Sequence, residues 1–282
     1  RSRAAANRRH PLPREGGWGE GTSVRLRVET GGAGPDLVLL HGWGLGAGAW
    51  ECVLPALAKR FRVHCVSLPG YDGSLDDGGD FRQTATAIAQ VIPAGATLCG
   101  WSLGGMLAMA AAALDSNASP SRLVLVGTTM RFLQDGDWTA AQTPASHDTF
   151  ASSVAADPAA ALRRFVMLFN HGDLHARDVV RTLTRSLPGE PASTPVLLRG
   201  LDWLRDTDLR AQLQNLVLPT LILHGECDPL MPLAAGERLA AELADARLEV
   251  FAGCAHAPFA SDPARFVARL AAFCGTSSDV TA

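Results

Sequence analysis

No stretch of the 282-residue chain approaches the roughly 20 consecutive apolar residues that span a bilayer, so no membrane-spanning helix is expected. Charge is also sparse. Only 19% of residues are charged and the formal net charge is −3, which argues against nucleic acid or an anionic membrane surface as the main partner. Cysteine motifs are missing too: the cysteines at 52, 65, 99, 227, 254 and 274 include no C-x-x-C pair. Several sit in apolar runs, where a reduced thiol behaves as a small hydrophobe, and a cytoplasmic location is the expectation. Neither an internal repeat nor a low-complexity tract is present. Residues 1–22 carry arginine, proline and glycine without apolar periodicity and without the hydrophobic segment of a secretory signal. They read as a disordered extension, and residues 276–282 as a C-terminal tail.

What the chain does have is apolar content, 47% of residues, ample for one large core. From about residue 23, short apolar runs recur: "SVRLRVE", "DLVLLHG", "FRVHCVSLPG", "ATLCG", "RLVLVGT", "TLILHGE" and "RLEVFAG". Helical stretches such as 50–59, 81–92 and 103–114 fall between many of them. Strands alternating with helices predict an α/β protein, a mostly parallel central sheet with helices on both faces. One interval breaks the rhythm. Residues 131–216 hold helical patterns but no good strand, and an insertion between two strands would lie over the strand ends, where such folds keep their sites. It is expected to form a helical lid, with residues 23–130 and 217–275 as the core.

The stretch "GWSLGG", residues 100–105, places Ser102 between Gly100 and Gly104 after the apolar run "ATLC" and before the alanine-rich "MLAMAAAAL". A serine there sits where a strand turns sharply into a helix, the setting of a G-x-S-x-G nucleophile elbow. A small-residue turn that only tightens packing would have the same sequence. A serine hydroxyl needs a base to take its proton, and the base needs an acid to hold its tautomer. In this architecture the order is serine, then acid, then histidine, each at the carboxyl end of a strand. "LPTLILHGECDPLMP" supplies Asp228 and "LEVFAGCAHAPF" supplies His256, in that order. Taken singly, Asp228 could be a helix cap and His256 a loop histidine. An oxyanion hole needs two backbone N–H groups, and the candidates are Leu103, after the serine, and Trp43, in the glycine-flanked loop of "LVLLHGWG". His41 and Trp43 could equally be packing residues, and His41 is assigned that structural role.

"LVLLHGWGLGAGAW", "GWSLGG", "LDWLRDTDLRAQLQNLVLPTLILHGECDPLMP" and "AHAPFASDP" resemble the biotin-pathway carboxylesterases that demethylate pimeloyl-acyl-carrier-protein methyl ester, a group with the α/β-hydrolase fold. The resemblance runs from about residue 23 to 275 and includes the lid segment "LRRFVMLFNHGDLHARDVVRTL". It implies a serine esterase with no metal or cofactor, whose substrate rides on an acyl-carrier protein, and no nucleic-acid or membrane partner; a monomer is expected. The implied substrate-binding residues are Trp43, Ser102, Leu103, Phe165, Val166, Met167, Leu168, Phe169 and His256. Of four arginines with which the group grips its carrier, three match here, Arg164, Arg177 and Arg181, while the fourth position is Ala160. Spacing alone would let Arg177, Arg181 and Arg185 be a solvated helix face. The expected function is hydrolysis of the carrier-linked methyl ester through Ser102, His256 and Asp228. A generalist short-chain carboxylesterase, a carbon–carbon bond hydrolase and a non-catalytic binding protein of the same fold are the alternatives. A haloalkane dehalogenase is disfavoured because the elbow holds serine and not aspartate.

Overall fold

Strand β3 (Asp36–Leu40) shows how the sheet divides the molecule: Leu37 and Leu39 point into one apolar layer, Val38 and Leu40 into the other, and all four are fully buried. Side chains alternate across a strand, so a strand apolar at every position must be covered on both faces. The computed structural model describes residues 15–18, 24–114, 119–187 and 191–276. Its other strands are β1 (Glu15–Trp18), β2 (Arg27–Gly31), β4 (Arg62–Ser67), β5 (Thr97–Trp101), β6 (Arg122–Val126), β7 (Thr220–Gly225) and β8 (Ala246–Phe251). They form one sheet in the order β1-β2-β4-β3-β5-β6-β7-β8, parallel from β4 onward and antiparallel at the β1 and β2 edge.

The helices are α1 (Leu54–Leu57), α2 (Phe81–Val91), α3 (Leu103–Ala112), α4 (Pro144–Ala156), α5 (Pro158–Phe169), α6 (Ala176–Arg185), α7 (Thr194–Asp206), α8 (Leu233–Glu242), α9 (Pro258–Ser261) and α10 (Pro263–Phe273). Helix α3 is apolar or small all round and every one of its residues is buried, as a helix enclosed between sheet and neighbouring helix must be. Its neighbour α2 is amphipathic and starts with a capping box: Gln83 N–H donates to Asp80 Oδ1 (2.7 Å) and Asp80 N–H to Gln83 Oε1 (2.9 Å).

Between β6 and β7 the chain departs from the sheet and builds α4 to α7, the helical interval expected from the sequence. Its two ends are tied together, with Arg131 paired to Asp208 at 3.1 Å. Among the described residues no helix is long and apolar enough to cross a membrane. In one place the chain is more ordered than its sequence suggested. Within the stretch read as a disordered extension, Glu15–Trp18 pairs as an edge strand with Arg27–Thr30; residues 1–14 and 19–22 lie outside the described residues, as do 277–282 of the tail.

Candidate active site

Ser102 stands alone between β5 and α3 with φ 56° and ψ −122°, a backbone conformation that residues with a side chain rarely adopt. The surroundings hold it there. Its N–H donates to Val126 O (2.9 Å), and its carbonyl accepts from Thr128 Oγ1 (2.7 Å) and from Gly105 N–H (2.9 Å). The flanking glycines answer to space. A Cβ on Gly100 would strike the Gly104 carbonyl, and one on Gly104 would lie 2.5 Å from His41 O and 2.6 Å from Leu40 O. The turn is therefore pressed against the end of β3. A Cβ on Gly42 would lie 3.1 Å from Ser102 Cβ, so the loop after β3 passes directly beside the serine.

Asp228 follows β7 and His256 follows β8. His256 Nδ1 donates to Asp228 Oδ2 at 2.7 Å, while Asp228 Oδ1 accepts Leu230 N–H and Met231 N–H, each at 2.9 Å. Both side chains are almost wholly out of solvent. This bond fixes the imidazole with its proton on Nδ1 and leaves Nε2 as the basic nitrogen. Nε2 is buried and makes no hydrogen bond within the protein among the described residues. Gly127, next to the carbonyl that holds Ser102, faces the pair: a Cβ there would be 3.3 Å from both Asp228 Oδ2 and His256 Nδ1. Serine, acid and histidine thus stand at the carboxyl ends of β5, β7 and β8, around the end of β6.

Tryptophans brace this centre. Trp101 Nε1 donates to His256 O (2.9 Å) and its ring lies 5.5 Å from the imidazole. Trp43 Nε1 donates to Leu197 O on α7 (2.8 Å), which locks the loop carrying its backbone N–H. Leu103 is the first residue of α3, and first-turn N–H groups of a helix have no partner within it. His41 is structural, as read from the sequence. Its Nδ1 donates to Gly42 O (2.8 Å), its Nε2 accepts Leu68 N–H (3.1 Å), and burial pushes its pKa below the usual histidine value, so it is neutral.

Over Ser102 lies a cavity of about 190 Å³, walled by Trp43, Phe132, Phe150, Phe165, Leu168, Leu201, Leu204 and Leu230, with Gln142, Ser146 and His147 as its polar members besides the serine. Helices α4, α5 and α7 supply most of these. Of the five consecutive residues expected to bind substrate, Phe165 and Leu168 reach the cavity, and Phe169 is buried with its ring 5.4 Å from the imidazole. Val166 turns into the core and Met167, 54% exposed, faces solvent; neither lines the cavity. Arg164, Arg177 and Arg181 are all exposed, and Arg181 pairs with Asp178 at 2.8 Å. The α4 wall carried no sequence signal beyond apolar residues at helical spacing. Phe150 was accordingly missed, as was Gln142, which lies just before α4 in a segment with no motif.

Comparisons place this geometry among known proteins. The alpha/beta hydrolase family matches residues 37–269. The pimeloyl-[acyl-carrier protein] methyl ester esterase of Nitrosomonas europaea is 38% identical over 86% of this chain and 96% of its own length. That of Aromatoleum aromaticum is 43% identical over 81% of this chain and 94% of its own length. Among solved structures, an esterase from Exiguobacterium antarcticum superposes with a TM-score of 0.82 at 26% identity, covering 89% of this chain and 95% of that one.

Proposed function

This chain belongs to the alpha/beta hydrolase family and, within it, to the pimeloyl-[acyl-carrier protein] methyl ester esterases, and from that premise we propose how its own residues carry out the hydrolysis. Ser102 Oγ attacks the ester carbonyl as His256 Nε2 takes its proton. Asp228 holds the imidazole in the required tautomer and balances the imidazolium that forms. The N–H groups of Trp43 and Leu103 receive the oxyanion. His256 then returns the proton to the leaving alkoxide, methanol departs, and water activated by the same nitrogen hydrolyses the acyl-enzyme to the free acid. The observation that carries this reading is the 2.7 Å bond from His256 Nδ1 to Asp228, which leaves Nε2 buried and unpartnered, while Ser102 is held at φ 56° on the adjoining strand end.

The substrate follows from the walls. An apolar cavity with few polar groups suits a methylene chain, and the exposed arginines of α5 and α6 suit an acidic carrier protein that presents it. Six unpaired cysteines fit a reducing cytoplasm. The test is direct: purified protein is given the methyl ester of pimeloyl-acyl-carrier protein and, separately, short p-nitrophenyl esters. Methanol release with a strong preference for the carrier-linked ester is the expected result. Comparable kcat/KM on both substrates would make the chain a generalist carboxylesterase instead.

A further inference from the structure

The helical insertion does more than roof the cavity, because hydrogen bonds run from it to the loops that carry both partners of the His256–Asp228 pair. On one side, Gln142 lies in the segment leading into α4. Its amide donates both hydrogens to the acid loop, to Pro229 O at 2.9 Å and Leu230 O at 2.8 Å, immediately after Asp228. The N–H of that same Leu230 is one of the two that hold Asp228 Oδ1. On the other side, Asp173 lies in the turn between α5 and α6 and is almost fully buried. Its Oδ2 accepts Ala255 N–H (2.8 Å), the residue before His256, and its Oδ1 accepts Ser261 Oγ (2.9 Å) and His175 N–H (2.7 Å). Two backbone bonds run alongside: Leu174 N–H to Gly253 O (2.9 Å), and His256 N–H to Phe169 O (3.3 Å).

We propose that Gln142 and Asp173 are positioning residues through which the insertion clamps the Asp228 loop and the His256 loop in register, so that the pair is assembled only while the insertion is seated. Neither residue needs to touch the reacting atoms. Gln142 also lines the cavity over Ser102, which places one arm of the clamp where the substrate lies. Each side chain is matched to its task. Two carbonyls facing one group require a double donor, which an amide NH2 provides, and three converging donors require an acceptor with several lone pairs, which a carboxylate provides. Asp173 is buried, so leaving its donors without a partner is costly and the His256 loop would shift to find new ones; Gln142 is half-exposed, and losing its two bonds frees the Asp228 loop to move.

The proposal rests on the esterase reading, and its test separates the two. Gln142→Met and Asp173→Asn keep shape while removing the two donors in the first case and one acceptor in the second. Gln134→Met is the matched control: Gln134 also donates its amide to two carbonyls, Thr139 O and Ala141 O, both within the insertion and neither in the Asp228 nor the His256 loop. Three readouts are taken: kcat and KM on a short ester, the rate at which a fluorophosphonate modifies Ser102, and the low-field proton resonance of the Nδ1–H shared by His256 and Asp228. The expected result for both test variants is a fall in kcat and in the fluorophosphonate rate of about 10-fold to 100-fold, the scale on which a misplacement of about 1 Å acts. The shared-proton resonance should broaden or move in both, with KM little changed in Asp173→Asn, which is outside the cavity wall, and the control should keep wild-type values. Should Asp173→Asn not fold, Ser261→Ala removes one of the three donors to Asp173 and should show the same pattern more weakly. A shared-proton resonance and kcat at wild-type values in the test variants, or losses equal to those of Gln134→Met, would overturn the proposal. The resonance is readable whether or not an ester is turned over, so inactivity of the wild type would sink the esterase reading without deciding the clamp.

Discussion

Ser102, the proposed nucleophile, is held at a strand end under three constraints: a positive φ, a buried position, and glycine neighbours that cannot be enlarged. Ser102→Ala should abolish hydrolysis of p-nitrophenyl esters while leaving the circular dichroism spectrum intact, since loss of a triad member costs about 10⁴-fold or more in kcat. Asp228→Asn should be nearly as severe, because an amide facing His256 Nδ1 favours the tautomer with the proton on Nε2; near-normal turnover would mean that another acid orients the histidine. Gly104→Ala tests the packing of the elbow. The added methyl meets backbone oxygens of His41 and Leu40 and not a flexible side chain, so the loop bearing Trp43 must move. Overpacking of this kind costs about 1–3 kcal/mol, and the variant should lose several degrees in Tm together with most of its activity. Wild-type kcat in that variant would show that the elbow and the loop are not in register for catalysis.

At the scale of elements, the strands and the order of serine, acid and histidine were legible because both are written in residue type, apolar runs closing on glycine for the first and chemistry at fixed strand ends for the second. The cavity was not. Its walls are apolar residues of helices, and only tertiary packing decides which face of α4 or α7 turns inward. The five consecutive residues of α5 illustrate this, since on a helix only positions three or four apart share a face, here Phe165, Leu168 and Phe169. Strand β1 escaped notice because "EGGW" has little strand propensity, and it exists by pairing with the exposed edge of β2. The neck of the insertion yields a prediction of its own. Hydrogen bonding to Arg210 holds the Asp208 carboxyl below its ordinary pKa, and Asp208 also pairs with Arg131 at the other end of the insertion. A carboxylate with a depressed folded-state pKa contributes stability that is fully present above its unfolded value of about 3.9 and is lost as pH falls through the folded value. Asp208→Asn should therefore lower Tm at pH 7, by about 1–3 °C for a pair this solvated. The difference from wild type should shrink as pH falls below the ordinary carboxylate range, and a deficit that stays the same size as the pH is lowered would assign the loss to packing instead of charge.

Over the whole molecule the balance of charge is negative, −3 formally, and an acyl-carrier protein is acidic as well, so encounter must depend on a local exception to the overall sign. Helices α5 and α6 provide one. Arg164 is exposed on α5, and Arg177, Arg181 and Arg185 recur every four residues along α6, all exposed, with Asp178 the paired carboxylate of Arg181. These helices adjoin the cavity mouth through Leu168, which is both a wall of the cavity and 58% exposed. Charges so placed act mainly on association rate and orientation, and salt screens them over about 10 Å at 0.1 M ionic strength. Replacing Arg177 and Arg181 together by alanine should lower kcat/KM for a carrier-linked methyl ester about 5-fold to 50-fold at low ionic strength, the loss residing in KM, and the gap from wild type should narrow as salt is raised. Hydrolysis of a small free ester should not change, because it neither needs steering nor touches α6. Equal losses on the two substrates would mean that the arginines support the seating of the insertion. No loss on either would leave the row on α6 as solvated surface, and the carrier would have to be recognised elsewhere.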